Sequence, residues 1–308
     1  MKQSFFGTLE KLYEKHDDMY VLTGDLGFKL FDGIRAKCGK RMYNAGIAEA
    51  NMVGMAAGLA MCGNVVYCYS IIPFLIMRAY EQIRIGIDYH DLDVRLVGVG
   101  AGFAYGMEGI THFGMEDLAL MTSLRNFAIV SPADRAEAAR VAEMSYRHKG
   151  PMYIRLGRNA APAVYSKAPK FELGKAVLLE EGKRVAIFAT GDMVYNAREA
   201  AGYLKKKGIY PTLVNMHTLR PLDKGMIADI ASRHDHIFSI EEHNTHGGLG
   251  TSIGAVLLER GYKGTFRAIG IPDKLLKCVG DADHLRSRHG LDPRSIAGKI
   301  YKEAVKKT

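Results

Sequence analysis

Short β-branched and aromatic runs alternate with longer segments of helical period along the whole chain. Strands are expected at 19–23, 41–44, 65–69, 94–99, 128–130 and 152–155, with helices at 4–15, 49–62, 74–88, 117–123 and 133–147. A second series follows, with strands at 184–189, 212–216, 236–240 and 266–269 and helices at 194–207, 224–232, 250–260 and 293–306. Strand–helix–strand alternation joins mostly parallel strands, with helices covering both faces of the sheet. The expected fold class is therefore α/β, with two doubly wound domains. A length of 308 residues also suits two domains. The looser stretch 157–174 carries Pro162 and Pro169 and few large apolar side chains, and it reads as a connection. We place a first domain at 1–160, a linker at 161–175 and a second domain at 176–308.

From Met52 to Met77 no residue is charged, a length that could span a bilayer. Gly63-Asn64 and Pro73 interrupt that run, its first part is rich in Ala and Gly, and its second is β-branched and aromatic. A buried helix, a turn and a buried strand are expected there, and no membrane span. The polar first 14 residues lack the apolar core of a signal peptide. The four cysteines, Cys38, Cys62, Cys68 and Cys278, form no C-x-x-C pair and no zinc-ligand spacing. Cys62 and Cys68 are expected in the core, and the setting is expected to be reducing and cytoplasmic. The net charge of +9 comes from scattered Lys and Arg, not from an aromatic-interleaved patch. That distribution argues against nucleic acid and suits anionic substrates, an acidic partner or plain solubility.

The most informative stretch is Asn44-Ala45-Gly46-Ile47-Ala48-Glu49-Ala50-Asn51. It puts one carboxylate at the mouth of a helix of small apolar residues, with Gly54 and Gly58 one turn apart. Such a Glu is either a helix-start residue favoured by the dipole or a buried carboxylate with a chemical task.

This stretch resembles the pyrimidine-domain motif of transketolases and 1-deoxyxylulose-5-phosphate synthases. Phe74-Leu75-Ile76-Met77-Arg78-Ala79-Tyr80-Glu81-Gln82-Ile83-Arg84, the run from Glu108 to Leu118, and Glu241 to Gly250 resemble further motifs of that family in the same order. The resemblance implies a thiamine diphosphate enzyme of the ketol- or acyl-transferring type. It implies that Glu49 shares a proton with the distal nitrogen of the cofactor's aminopyrimidine, a task suited to a carboxyl group in a dry pocket. Phe74 and Tyr80 match positions that pack on the pyrimidine, the alternative for both being a core aromatic. Asp25 resembles an acidic position near the thiazolium and reads equally well as a loop cap. His112 matches a histidine that handles substrate oxygens. Glu108 stands where the family has Asp as a ligand for a substrate hydroxyl.

Departures from the family pattern fall at the anion-binding end. Gly100 stands where a phosphate-binding His is usual, and Lys2 stands near the place of an Arg, without its bidentate fork. Arg155 and Arg158 remain as ligands for an anionic substrate tail. A sugar-type aldehyde or ketone acceptor other than a simple pentose or tetrose phosphate is expected. The family binds the diphosphate through Mg2+ at a Gly-Asp-Gly motif, and here Gly24-Asp25-Leu26, Gly191-Asp192-Met193 and Gly280-Asp281-Ala282 all lack the second Gly. No metal ligand is therefore expected in this chain. The resemblance implies a partner subunit with the N-terminal transketolase-like domain that holds Mg2+, in an α2β2 heterotetramer.

Rival readings are weaker. A dinucleotide fingerprint fails because Phe103 or Tyr105 stands where a third Gly is needed. Gly250-Thr251-Ser252-Ile253-Gly254 matches a nucleophile elbow, but Ser252 is expected inside a helix and not at a strand-to-helix corner. The β subunit of a 2-oxoacid dehydrogenase or a pyruvate-using synthase, and a non-catalytic scaffold subunit, are the remaining alternatives.

Overall fold

The computed structural model of the chain describes residues 1–27, 29–158, 162–167 and 169–305. The expected junction at 160/161 and the last residue of the expected helix 293–306 lie outside the described residues, as does the side chain of Cys38. The strands in chain order are β1 (Met19–Thr23), β2 (Met42–Asn44), β3 (Val65–Ile71), β4 (Val94–Val99), β5 (Ala128–Val130), β6 (Met152–Leu156), β7 (Val177–Glu180), β8 (Arg184–Ala189), β9 (Thr212–Asn215), β10 (Thr218–Arg220), β11 (His234–Asn244) and β12 (Thr265–Ile271). They form a seven-stranded sheet of order β10-β5-β6-β4-β3-β1-β2 and a five-stranded sheet of order β12-β11-β8-β9-β7. All pairings are parallel except β10 with β5 and β7 with β9. The fold is α/β with two domains, as expected.

Strand composition explains the layering. Every residue of β3, β4 and β6 is buried, as befits parallel strands covered on both faces. The charge-free run resolves into the helix Glu49–Met61, a left-handed Gly63 and β3. The helix buries Met52, Val53, Ala56, Ala57 and Ala60 and leaves Gly54 and Gly58 open. Among the described residues no helix is long and apolar enough to cross a membrane. Cys68 is buried, but Cys62 is exposed, which corrects its expected place in the core. It follows the helix as its C-cap, on the solvent side of the turn.

The expected continuous helix 74–88 is instead two π-helical segments, Pro73–Met77 and Ile83–Asp88, around a short α-helical Tyr80–Gln82. Its buried positions Leu75, Ala79, Ile83 and Ile87 are all 0% exposed and recur every fourth residue. On a regular α-helix that spacing drifts by about 40° per step, and wider turns keep the positions on one face.

The two halves interlock. β10, from the second half of the sequence, extends the first sheet beside β5. Behind it, Arg155 on β6 bonds through Nε to the Asp117 carboxylate at 2.7 Å. Its Nη2 donates to the carbonyls of Gly114 (2.7 Å) and Glu242 (3.0 Å). Tyr153 also donates to Asp117, and His243 Nε2 accepts from the Leu118 amide at the start of the same helix.

Candidate active site

The chain runs from β1 outward to β2, then crosses back to β3 on the other side of β1. Strand order therefore reverses between β1 and β3, and their carboxyl ends open a crevice of the kind that receives ligands in doubly wound sheets. The helix Glu49–Met61 begins at this crevice, with Glu49 as its first residue. The Glu49 side chain is 1% exposed. Its Oε1 accepts from Ser70 Oγ on β3 at 3.1 Å, and its Oε2 receives the Arg78 guanidinium at 2.7 Å. Gly24, just past β1, lies against it: a Cβ there would sit 3.5 Å from Glu49 Oε1.

A row of side chains leads away from Glu49. Arg78 lies over the Phe74 ring at 4.7 Å. Phe74 meets His112 edge-to-face at 5.0 Å, and His112 stands 6.0 Å from Tyr105. Tyr105 carries the Arg158 guanidinium over its ring at 4.4 Å, and Glu108 pairs with Arg158 at 3.3 Å. Thr111 Oγ1 and His112 Nδ1 are hydrogen-bonded at 2.9 Å, which leaves Nε2 as the free ring nitrogen. Beyond Tyr105 lies a cleft of about 570 Å³ lined by Lys2, Leu26, Gly27, Tyr69 and Tyr105 among others. Desolvation and the positive charge of Arg158 push the Lys2 ammonium below its ordinary range.

Glu49, Phe74, His112, Glu108, Arg158 and Lys2 are thus brought into one continuous wall. Asp25 stands at the crevice rim, exposed, with φ of 57°. It is held reciprocally by Asn44: the Asp25 amide donates to Asn44 Oδ1 and Asn44 Nδ2 donates to Asp25 Oδ1, each at 2.9 Å. Two expected residues stand elsewhere. The Tyr80 hydroxyl is turned toward the helix Asp117–Thr122, bonded to the Leu120 carbonyl and Ser123 Oγ. Arg155 is 3% exposed, with Nε bonded to Asp117 and Nη2 to Asp117, Gly114 and Glu242. These bonds tie β6 to the Gly114–Asp117 segment and to Glu242 on β11, so Arg155 stands in the join between the two halves of the molecule. Sequence reasoning missed Ser70, Arg78, Asn44 and Tyr105 as site residues. Arg78 falls inside one of the family-like motifs, but only the fold places it on Glu49.

A thiamine-type cofactor suits this wall in kind. The buried carboxylate at the switch point, the half-buried Phe74 ring and the open crevice match what a flat heterocycle needs. The Arg78 guanidinium is bonded to Oε2 of that carboxylate. Among the described residues no three His, Cys, Asp or Glu side chains gather into a metal-holding group.

The family model for the transketolase pyrimidine-binding domain matches residues 1–163, and that for the transketolase C-terminal domain matches residues 174–296. The chain is 33% identical to one of the apulose-4-phosphate transketolase subunits of Phocaeicola vulgatus, over 99% of this chain and 97% of that one. It is 32% identical to a 6-deoxy-6-sulfo-D-fructose transketolase subunit of a Clostridium species, over 100% of this chain and 95% of that one. Among solved structures, one described as a split gene transketolase, inactive beta4 tetramer, superposes with a TM-score of 0.88 at 33% identity, covering 99% of this chain and 98% of that one. With both domains matched in order and these relatives covered nearly end to end, the chain belongs to the transketolase family, as a pyrimidine-binding domain followed by a transketolase C-terminal domain.

Proposed function

We propose that this chain is the C-terminal subunit of a split, thiamine diphosphate-dependent transketolase. It transfers a two-carbon ketol unit to a sugar-type aldehyde or ketone, and acts only with a partner subunit that binds the diphosphate and Mg2+. The observation that carries this reading is the buried Glu49 carboxylate at the β1/β3 switch point, with Phe74 and His112 leading away from it. The similarity to proteins named as single subunits of a transketolase supports the need for a partner, as does the relative described as an inactive β4 assembly.

When bound, thiamine diphosphate supplies the carbon nucleophile that accepts and passes on the ketol unit. The protein's own groups do the rest. Glu49 would hold the cofactor's pyrimidine through its carboxylate, where it would share a proton with a ring nitrogen. Ser70 keeps Oε1 in place. Phe74 offers a flat face to the heterocycle. Thr111 fixes the His112 ring through Nδ1, so that Nε2 is the nitrogen that exchanges a proton or hydrogen bond with substrate oxygens. Lys2 and Arg158, the latter steadied by Glu108, receive an anionic tail.

The test is reconstitution. The chain is co-expressed with an N-terminal transketolase-type subunit from the same genome that carries Gly-Asp-Gly and a downstream Asn. Ketol transfer is then measured with and without thiamine diphosphate and Mg2+. Turnover that needs both subunits and both ligands is expected. Turnover by the isolated chain without cofactor would overturn the reading.

A further inference from the structure

Gly100 follows β4 with φ of +100°, a conformation that side chains rarely adopt. A Cβ there would lie 2.4 Å from Tyr105 Cδ2 and 2.6 Å from its Cε2, well inside van der Waals contact. The Tyr105 ring therefore takes the space that a side chain on residue 100 would fill. One side of the ring packs on the bare Gly100 backbone, and Arg158 lies 4.4 Å from its centroid. The ring also borders the cleft that contains Lys2. Burial and the nearby Arg158 and Glu108 act on the Tyr105 phenol, with burial dominant, so the hydroxyl stays neutral.

We propose that Tyr105 is a specificity-determining residue of the substrate cleft. It closes the wall beyond Gly100 and serves as the platform that aims Arg158, together with Lys2, at a tetrahedral oxyanion on the substrate tail. This rests on the ketol-transfer reading above and concerns the anionic tail assigned there to Lys2 and Arg158. A guanidinium stacked on a ring loses less freedom on binding than a free one, which is how a platform without its own charge favours anions.

The experiment compares the reconstituted complex with D-glyceraldehyde, D-glyceraldehyde 3-phosphate and the matching three-carbon sulfonated aldehyde as acceptors. The ratio of kcat/KM for the tailed acceptor to that for the neutral one is expected to fall about tenfold in Tyr105→Ala, which is about 1.4 kcal/mol, through KM for the tailed acceptor. Tyr105→Phe keeps the ring and is expected to keep the ratio. The arm whose ratio falls tells phosphate from sulfonate. An unchanged ratio in Tyr105→Ala, or an equal fall in Tyr105→Phe, would overturn the assignment. Calorimetric titration of the complex with inorganic phosphate decides the point without turnover: about tenfold weaker binding is expected in Tyr105→Ala, and equal binding would overturn it. If the unmodified complex transfers ketol to none of the three acceptors, the ketol-transfer reading fails, and the phosphate titration still decides the role of Tyr105.

Discussion

Arg78 Nη1 lies 2.7 Å from Glu49 Oε2, and the same guanidinium covers the Phe74 ring. One half-exposed cation therefore occupies both groups to which the cofactor's pyrimidine is assigned. A carboxylate that is 1% exposed is costly to leave without a charged partner. In the isolated chain Arg78 is that partner. Its replacement by Met should destabilise the isolated chain by about 1–3 kcal/mol, allowing for the solvent screening of the exposed Arg. That corresponds to a melting temperature lower by a few degrees. Adding partner and thiamine diphosphate should close most of the gap if the proposed pyrimidine contact gives the Glu49 carboxylate a second partner. Differential scanning calorimetry of the two proteins, alone and assembled, checks this. An unchanged melting temperature in the isolated chain would show that the ion pair carries no weight.

Glu49 itself should be indispensable to turnover. Neither Gln nor Ala can hold and return a proton at that position. General acid–base steps of this kind supply roughly 10²–10⁴-fold. Glu49→Gln in the assembled enzyme should lower kcat by at least about 100-fold, with the secondary structure seen by circular dichroism preserved. Steady-state ketol transfer measures it, and a loss below tenfold would remove Glu49 from the chemistry.

Arg155 and Arg158 are three residues apart in sequence and have different tasks. Burial alone would raise the Asp117 carboxyl, but Arg155, His243 and the Tyr153 hydrogen bond together hold that group below the usual carboxylate range. Removing one member of a buried pair costs about 3–5 kcal/mol. Arg155→Leu should therefore lower the denaturant midpoint of the chain sharply. Arg158→Ala, at a side chain 41% exposed, should leave the midpoint within about 1 kcal/mol and raise KM for anionic substrates instead. Urea denaturation alongside kinetics separates the two. Equal midpoints for Arg155→Leu and the unmodified chain would restore Arg155 as a substrate ligand.

Much of the fold was legible because buried parallel strands are compositionally plain. The bounds of β1, β4, β5 and β8 coincide with the runs read from sequence. The edges were not legible. β7 is half-buried with Leu178 exposed, and β10 is three residues whose partner strand lies some 90 positions earlier. Pairing at that separation leaves no local pattern. Of the candidate site, the place of Glu49 as a buried carboxylate at a helix start was legible. The tertiary partners of the candidate residues were not. The strand holding Arg155 was expected to end on it, yet β6 continues through Leu156. A charged residue inside a fully buried strand must find a partner, and that signal was hidden by one residue of strand length. The partners of the Tyr80 hydroxyl, Leu120 and Ser123, lie 40 and 43 residues further on, where no local pattern points to them.

The join between the two halves should be acid-sensitive through His243. Its Nε2 accepts from the amides of Leu118 (3.1 Å) and Ala119 (3.4 Å), while Nδ1 is bonded to the Asn244 carbonyl at 2.8 Å. A ring that accepts at Nε2 is neutral, and protonation would set a hydrogen against two N–H groups. Burial pushes its pKa down to about 4, against the opposing pull of Asp117. The folded value lies below the unfolded value of about 6.5, so the neutral ring favours the folded state. This contribution is fully present above pH 6.5 and is lost as pH falls through about 4. It amounts to at most about 3 kcal/mol for a shift of this size. His217, also buried and pushed down to about 4, adds to the same limb. His243→Gln keeps an acceptor for the amides but has no proton to gain. Its melting temperature should therefore fall less steeply than that of the unmodified chain between pH 6.5 and pH 4. Thermal denaturation across that range reads the difference, and parallel acid limbs for the two proteins would show that His243 does not gate the join.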